Sequence, residues 1–238
     1  MFRYSGPLLE RFPTIVGGVV HARAVVNGSP PAELQQAFRE EQLLALERIG
    51  DRPLAALPSV AAWRRAFSAF GVEPTRYRSA AEALLRRLTK QGEIPSLNVL
   101  VDLGNLVSIR YGLPVAVFDQ HSVTGSTTVR LAEGDESFTD LCGDGSVSRP
   151  EPGEVIFVDE VGLVSARRWC WRQSAESAAR ADTTEILVTV EGHHESAAED
   201  VAAAVEDLRE LLDRHAGQPE VAAAVLTSGQ SAFHGATS

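Results

Sequence analysis

The sequence predicts an α+β fold with mixed and antiparallel β sheets flanked by helices. Three observations predict it. Apolar residues at helical spacing dominate positions 32–90. Short β-branched runs, separated by Gly, Pro, Asp and Ser, fill 115–164. A long alanine-rich amphipathic stretch follows at 197–215.

The elements follow in order. Residues 14–27 are rich in valine and read as a strand ending in the turn residues Asn27-Gly28. Pro30 and Pro31 precede 32–49, where Leu34, Phe38, Leu43 and Leu46 suit one helix face. A second helix, 60–70, stops at Gly71 with Pro74 beyond it. Ser79 is placed to cap a third helix running to about Lys90, with Glu82 as its capping-box partner. Residues 98–111 are ambiguous: β-branched content favours a strand, length and polar spacing a helix. Strands are expected at 115–118, 127–131, 155–158, 163–169 and 186–191. The helix at 197–215 presents Val201, Val205, Leu208 and Leu212. Residues 1–216 read as one domain with 14–70 integral to it. Residues 217–238 read as a weakly patterned, partly disordered tail.

The bulk numbers exclude several function classes. With 238 residues, 44% of them hydrophobic, the chain can bury a full core. It has no apolar run long enough to span a bilayer, so no membrane partner is expected. Positions 1–13 lack the apolar centre of a secretory signal. Cys142 and Cys170 fit no metal-ligand spacing and read as reduced thiols, which predicts a cytoplasmic protein. The net charge of −10 argues against a general nucleic-acid binder, and no DNA partner is expected. The charge is uneven, however. Residues 61–90 carry Arg64, Arg65, Arg76, Arg78, Arg86, Arg87 and Lys90 against only Glu73 and Glu82. Residues 174–238 carry twelve acids against three bases. A local basic strip can still meet phosphate.

Four groups of residues could carry chemistry. Asn98, Asp102, Asn105 and Ser108 recur every three to four positions, a polar stripe that needs either buried hydrogen bonds or a site. Around Trp63-Arg64-Arg65 and Tyr77-Arg78, aromatics stand beside arginines and could stack on bases. In Arg167-Arg168-Trp169-Cys170-Trp171-Arg172-Gln173, a continuous strand would put Arg168, Cys170 and Arg172 on one face. His193-His194-Glu195 has no third ligand spaced to join it, so no metal or cofactor is expected. No nucleophile elbow and no phosphate-binding loop occurs.

The order Ser79…Gly92…Pro95…Asn98-Val-Leu-Val-Asp-Leu-Gly-Asn105, then Gly112-Leu-Pro114 and Phe118-Asp119, resembles the B3/B4 editing domain of the phenylalanyl-tRNA synthetase beta subunit. Weaker matches continue through Val129–Glu136, Pro152–Asp159 and Thr183–Leu187, so the resemblance covers roughly 75–192. The resemblance implies a B3/B4-like scaffold standing free of the rest of a synthetase, with a helix at 98–111. Its implied partner is the tRNA acceptor end or an aminoacyl-tRNA. Asn105 matches an asparagine that lines the family's amino-acid pocket, but Gly104 replaces the preceding threonine and should leave the pocket roomier. Ala116 replaces a histidine. The family's glutamate aligns with Thr189, and Glu191 shares its strand face two residues on.

These resemblances imply a trans-acting aminoacyl-tRNA deacylase. Asn105 and Glu191 are the expected catalytic pair, with Asn105 on the ester or water and Glu191 on the aminoacyl ammonium. Arg78, Asp102, Ser108, Ala116, Asp119, Trp171, Arg172 and Gln173 are the expected binding residues, with Arg78 and Arg172 meeting phosphate. An aminoacyl ester is already activated, so orientation of water and ester suffices without a metal. The alternative is a non-catalytic module that binds tRNA or an amino acid on the same scaffold. A third reading is a protein-interaction factor using the acidic C-terminal helix.

Overall fold

The computed structural model describes residues 1–235. The chain begins with strand β1 (Phe2–Tyr4), short helix α1 (Gly6–Arg11) and strand β2 (Val16–Arg23). Four helices follow: α2 (Ala32–Ile49), α3 (Pro58–Ala69), α4 (Ala80–Gln91) and α5 (Val99–Tyr111). Then come β3 (Val115–Asp119), β4 (Thr127–Leu131), β5 (Phe138–Thr139), β6 (Val147–Ser148), β7 (Val155–Val158), β8 (Val164–Arg167), β9 (Arg172–Gln173) and β10 (Glu185–Gly192). Helix α6 (Ala197–His215) and strands β11 (Glu220–Leu226) and β12 (Ala232–Phe233) complete it. The fold is α+β.

Local chemistry sets the helix ends. The Ser79 hydroxyl accepts the Glu82 N–H at the start of α4, and Gly92 closes that helix in the left-handed region. Glu82 does not complete the expected capping box. Its carboxylate instead accepts from Arg64 Nη1 at 2.6 Å and lies 3.7 Å from Arg78 Nε. Asn98 settles the ambiguous segment as a helix: its side chain accepts the Val101 N–H at 2.9 Å, and Gly112 ends α5. On α2, Leu43 is exposed, against expectation. The buried face runs through Leu34, Phe38, Gln42, Ala45 and Ile49.

Two main sheets organise the chain. A six-stranded mixed sheet has the order β12-β1-β4-β7-β8-β9, with β1 parallel to β4. A four-stranded antiparallel sheet has the order β11-β2-β10-β3. The second sheet is covered on both faces. One face packs on α5 and α6 through Leu106, Val188, Val190 and Val205, and α2 and α4 extend the same core behind α5 through Phe38 and Leu85. The other faces the first sheet and α3 through Phe118, Leu187, Phe157, Trp63 and Trp169. Because side chains alternate along a strand, β10 sends Ile186, Val188 and Val190 to the helices. Leu187, Thr189 and Glu191 point to the inter-sheet side.

Two expectations fail here. The segment beyond 216 is not a loose tail: β11 pairs along most of β2, from Glu220↔Arg23 to Leu226↔Gly17, and β12 pairs with β1. Its alanines lower strand propensity, and sheet pairing overrides that. Residues 236–238 of the expected disordered tail lie outside the described residues. Residues 163–169 are not one strand either. β8 ends at Arg167, because Arg168 and Trp169 both adopt positive φ (43° and 61°). The chain reverses there and returns as β9, with Arg167 opposite Arg172.

Candidate functional site

A cleft of about 230 Å³ opens between the two sheets. Pro114, Val115 and Ala116 of β3 and its approach form one side, with Thr189 and Glu191 of β10 beside them. The Trp169–Gln173 hairpin and the Asp140–Cys142 loop form the other. The lining is mostly apolar, as suits a small organic group. Thr189 stands opposite Ala116 in the β10–β3 register, so the alanine leaves space above that threonine.

Glu191 sits at the base and is 2% exposed. Tyr4 donates its hydroxyl to Oε1 at 2.7 Å. Trp169 donates Nε1 across both carboxyl oxygens, at 3.2 and 3.1 Å. Trp63 Nε1 donates to the Glu191 backbone carbonyl at 3.3 Å. Burial pushes the Glu191 pKa up to about 7, against the opposing pull of the Tyr4 and Trp169 donors. Burial and the adjacent carboxylate push the Tyr4 pKa well above its usual value. Glu191 therefore divides between charged and neutral forms near neutral pH. Oε2 accepts from Trp169 alone and keeps acceptor capacity. Gly17, paired with Glu191, makes this possible: a Cβ at Gly17 would overlap the Tyr4 hydroxyl.

The hairpin builds the rim. Its left-handed turn drives Trp169 inward among Phe12, Trp63 and His193. Arg167 and Arg168 both pair with Glu154, at 2.8 and 3.1 Å. Arg172 Nε stands 3.9 Å from Asp140. Gln173 Nε2 donates to the carbonyls of Val117 and Ser177, at 2.8 and 3.1 Å, which ties the hairpin to β3.

The structure brings together five expected site residues: Ala116, Trp171, Arg172, Gln173 and Glu191. The other five do not line this cleft. Asp102 is fully buried and accepts from the Ser96 hydroxyl and the Leu97 N–H, holding the turn before α5. Ser108 donates to the Leu113 carbonyl at 2.7 Å beyond the same helix. Asp119 accepts from the His121 N–H and the Thr183 hydroxyl. Arg78 pairs with Glu82. Asn105 is half-buried on α5, which covers the opposite face of the four-stranded sheet. The polar stripe is thus mainly a set of buried and capping hydrogen bonds. Gly104 also faces away from the cleft, where a Cβ would stand 3.2 Å from Val117 Cγ2. It allows close packing of helix on sheet rather than enlarging the pocket.

Sequence reasoning missed Tyr4 and the 140–142 loop. No local signal could have linked Tyr4 to a partner 187 residues away. His193 and His194 have separate partners: His193 Nδ1 meets the Thr14 hydroxyl, and His194 Nε2 meets Asp200. Burial lowers the His193 pKa to about 3. Among the described residues no group of three or more His, Cys, Asp or Glu side chains could hold a metal, and no helix is long and apolar enough to cross a membrane.

Comparison with known proteins adds ancestry to this geometry. The phenylalanine–tRNA ligase beta subunit of Neisseria meningitidis serogroup A is 28% identical over 129 residues, 54% of this chain and 16% of that protein. The Mycobacterium leprae beta subunit is 31% identical over 105 residues, 44% of this chain and 12% of its own. That of Nitrobacter winogradskyi is 34% identical over 84 residues, 35% and 10% respectively. The chain spans no more than about a sixth of the length of these curated relatives. Among solved structures, an N-terminal fragment of the phenylalanyl-tRNA synthetase beta subunit from Pyrococcus horikoshii aligns with a TM-score of 0.47 at 12% identity. That alignment covers 93% of this chain and 50% of the fragment. The family model described as the B3/4 domain matches residues 62–217, well over half of the sequence, and the chain belongs to that family.

Proposed function

We propose that this chain receives the aminoacylated end of a tRNA in the inter-sheet cleft and hydrolyses the aminoacyl ester. The observation that carries the reading is a small apolar cleft with one buried carboxyl at its base, held by Tyr4 and Trp169. Its relation to phenylalanine–tRNA ligase beta subunits supports a tRNA-linked role. Ala116 and Phe157 supply apolar walls for the amino-acid side chain, and Thr189 supplies a hydroxyl beside them. Glu191 Oε2 takes the aminoacyl ammonium when ionised. An arriving cation favours the charged carboxylate and draws its pKa down. Arg172 at the rim meets the ribose-phosphate end. Holding the ester still against water is the main contribution asked of the protein. Asn105 has no part in this arrangement.

The test is to mix the purified protein with a panel of mischarged tRNAs and follow loss of the amino acid. Deacylation of at least one tRNA well above spontaneous hydrolysis is expected. No acceleration for any member of the panel would refute the hydrolase.

One observation favours a second reading, binding without turnover. Glu191 Oε1 already carries two donors, Tyr4 and Trp169, which suits recognition better than proton transfer. Thermal stabilisation by amino acids or tRNA with no turnover would select that reading.

A further inference from the structure

We propose that the arginine–aromatic stack at the cleft rim is a platform for one unpaired nucleobase, the terminal base of an RNA strand whose end enters the cleft. The inference rests on the proposed function and names how the nucleic acid is held. Five side chains alternate. The Arg76 guanidinium lies 5.0 Å from the Tyr77 ring centre and that of Arg168 lies 4.1 Å from the same ring. Arg168 is also 4.8 Å from the Trp171 ring, and Arg172 is 5.1 Å from it on the cleft side of the sequence. Tyr77 and Trp171 meet edge to face at 4.9 Å.

The backbone is bent to build this stack. Arg168 and Trp169 are consecutive non-glycine residues at positive φ, a conformation that costs about 1–3 kcal/mol per residue. The strain sends Trp169 to the core and leaves Arg168 and Trp171 together. Trp171 and Arg172 line the cleft. Tyr77, Arg76 and Arg168 line a second cleft of about 370 Å³, so the stack is a wall common to both.

The wall carries positive charge and flat surface together. Arg168 shares Glu154 with Arg167, Arg64 and Arg78 share Glu82, and Arg172 stands 3.9 Å from Asp140, so cationic charge remains near the wall. Charge alone would suit any phosphate. The outer guanidinium planes, held flat by the tyrosine and tryptophan rings between them, add a surface on which a base stacks irrespective of sequence. Arg172 Nε is also buried without a hydrogen-bond partner, since Asp140 stands too far off to accept from it. A base edge or ribose hydroxyl would satisfy it.

The test is fluorescence anisotropy with a labelled four-nucleotide RNA ending in adenosine and a twin whose last residue is abasic. Wild type, Trp171→Leu and Trp171→Phe are compared at 50 and 200 mM KCl, with circular dichroism as the folding control. Trp171→Leu and the abasic end should each weaken binding about tenfold, and Trp171→Phe should recover most of it. The rise in salt should weaken binding of the two RNAs by the same factor, because phosphate contacts are common to both and stacking is not screened. Equal binding of the two RNAs, wild-type affinity in a folded Trp171→Leu protein, or a preference for the adenosine end that vanishes at 200 mM KCl would overturn the platform. Absence of binding to either RNA would overturn it too. Deacylation with no dependence on the terminal base sinks the platform and leaves the hydrolase standing. Base-dependent binding without deacylation does the reverse.

Discussion

Glu191→Gln tests the electrostatics at the base of the cleft. The Glu191 pKa rises from 4.5 to about 7 on folding because the carboxyl is buried. Between those values the folded protein holds a proton that the unfolded chain has lost. Stability therefore falls as pH rises through this window, and the penalty is fully present above about pH 7. A shift of this size amounts to about 3 kcal/mol. Glutamine cannot ionise, so the penalty disappears in the variant. Its amide nitrogen cannot accept from Trp169, which costs about 1 kcal/mol at every pH and leaves the pH dependence untouched. His193 works in the opposite direction. Its pKa falls from 6.5 to about 3, so its contribution is present above pH 6.5 and is lost as pH falls. The two partly cancel in the wild type between pH 4.5 and 6.5, so the difference between proteins is the readout. Urea unfolding from pH 5 to 8.5 should show the variant gaining about 2.5 kcal/mol on the wild type. Parallel stability curves would refute the assignment of a raised pKa to Glu191.

Three further substitutions separate packing from the site. Gly104→Thr should cost about 1–3 kcal/mol in urea unfolding, because its Cβ meets Val117 across the α5–β3 contact. Cleft binding should be unchanged, and a gain or loss of affinity without destabilisation would contradict that placement. Asp102→Ala strips the Leu97 N–H of its acceptor and should cost about 1–3 kcal/mol with ligand affinity preserved. Gly17→Ala displaces the Tyr4 hydroxyl from Glu191, and ultraviolet difference spectra should report a tyrosine in a changed environment. An unchanged spectrum in a folded protein would speak against the Tyr4–Glu191 contact.

Sequence legibility followed the range of the interactions. Ser79 and Gly92 mark helix ends because capping is local chemistry within four residues, while Asn98 and Gly112 cap a segment that its β-branched content left ambiguous. The valine-rich strands were legible for the same reason. The polar stripe on α5 was visible, but its purpose was not: Asp102 and Ser108 bind backbone groups within about five residues, a use that looks identical in sequence to a ligand site. Period-two alternation placed Thr189 and Glu191 on one face correctly. Arg168 and Trp169 defeated the same rule, because nothing in their side chains announces a left-handed turn. Strand β11 was hidden by its alanines, which pack well only because β2 lies beside them.

The most direct test of the central claim is deacylation of a responsive tRNA by wild type and Ala116→Phe. Ala116 lines the cleft opposite Thr189, and a phenyl group there would occupy the space assigned to the amino-acid side chain. The fold should survive, because the position borders open volume. A fall in kcat/KM of tenfold or more, with native circular dichroism, is the predicted result. An unchanged kcat/KM in the filled variant would place the reaction somewhere other than this cleft.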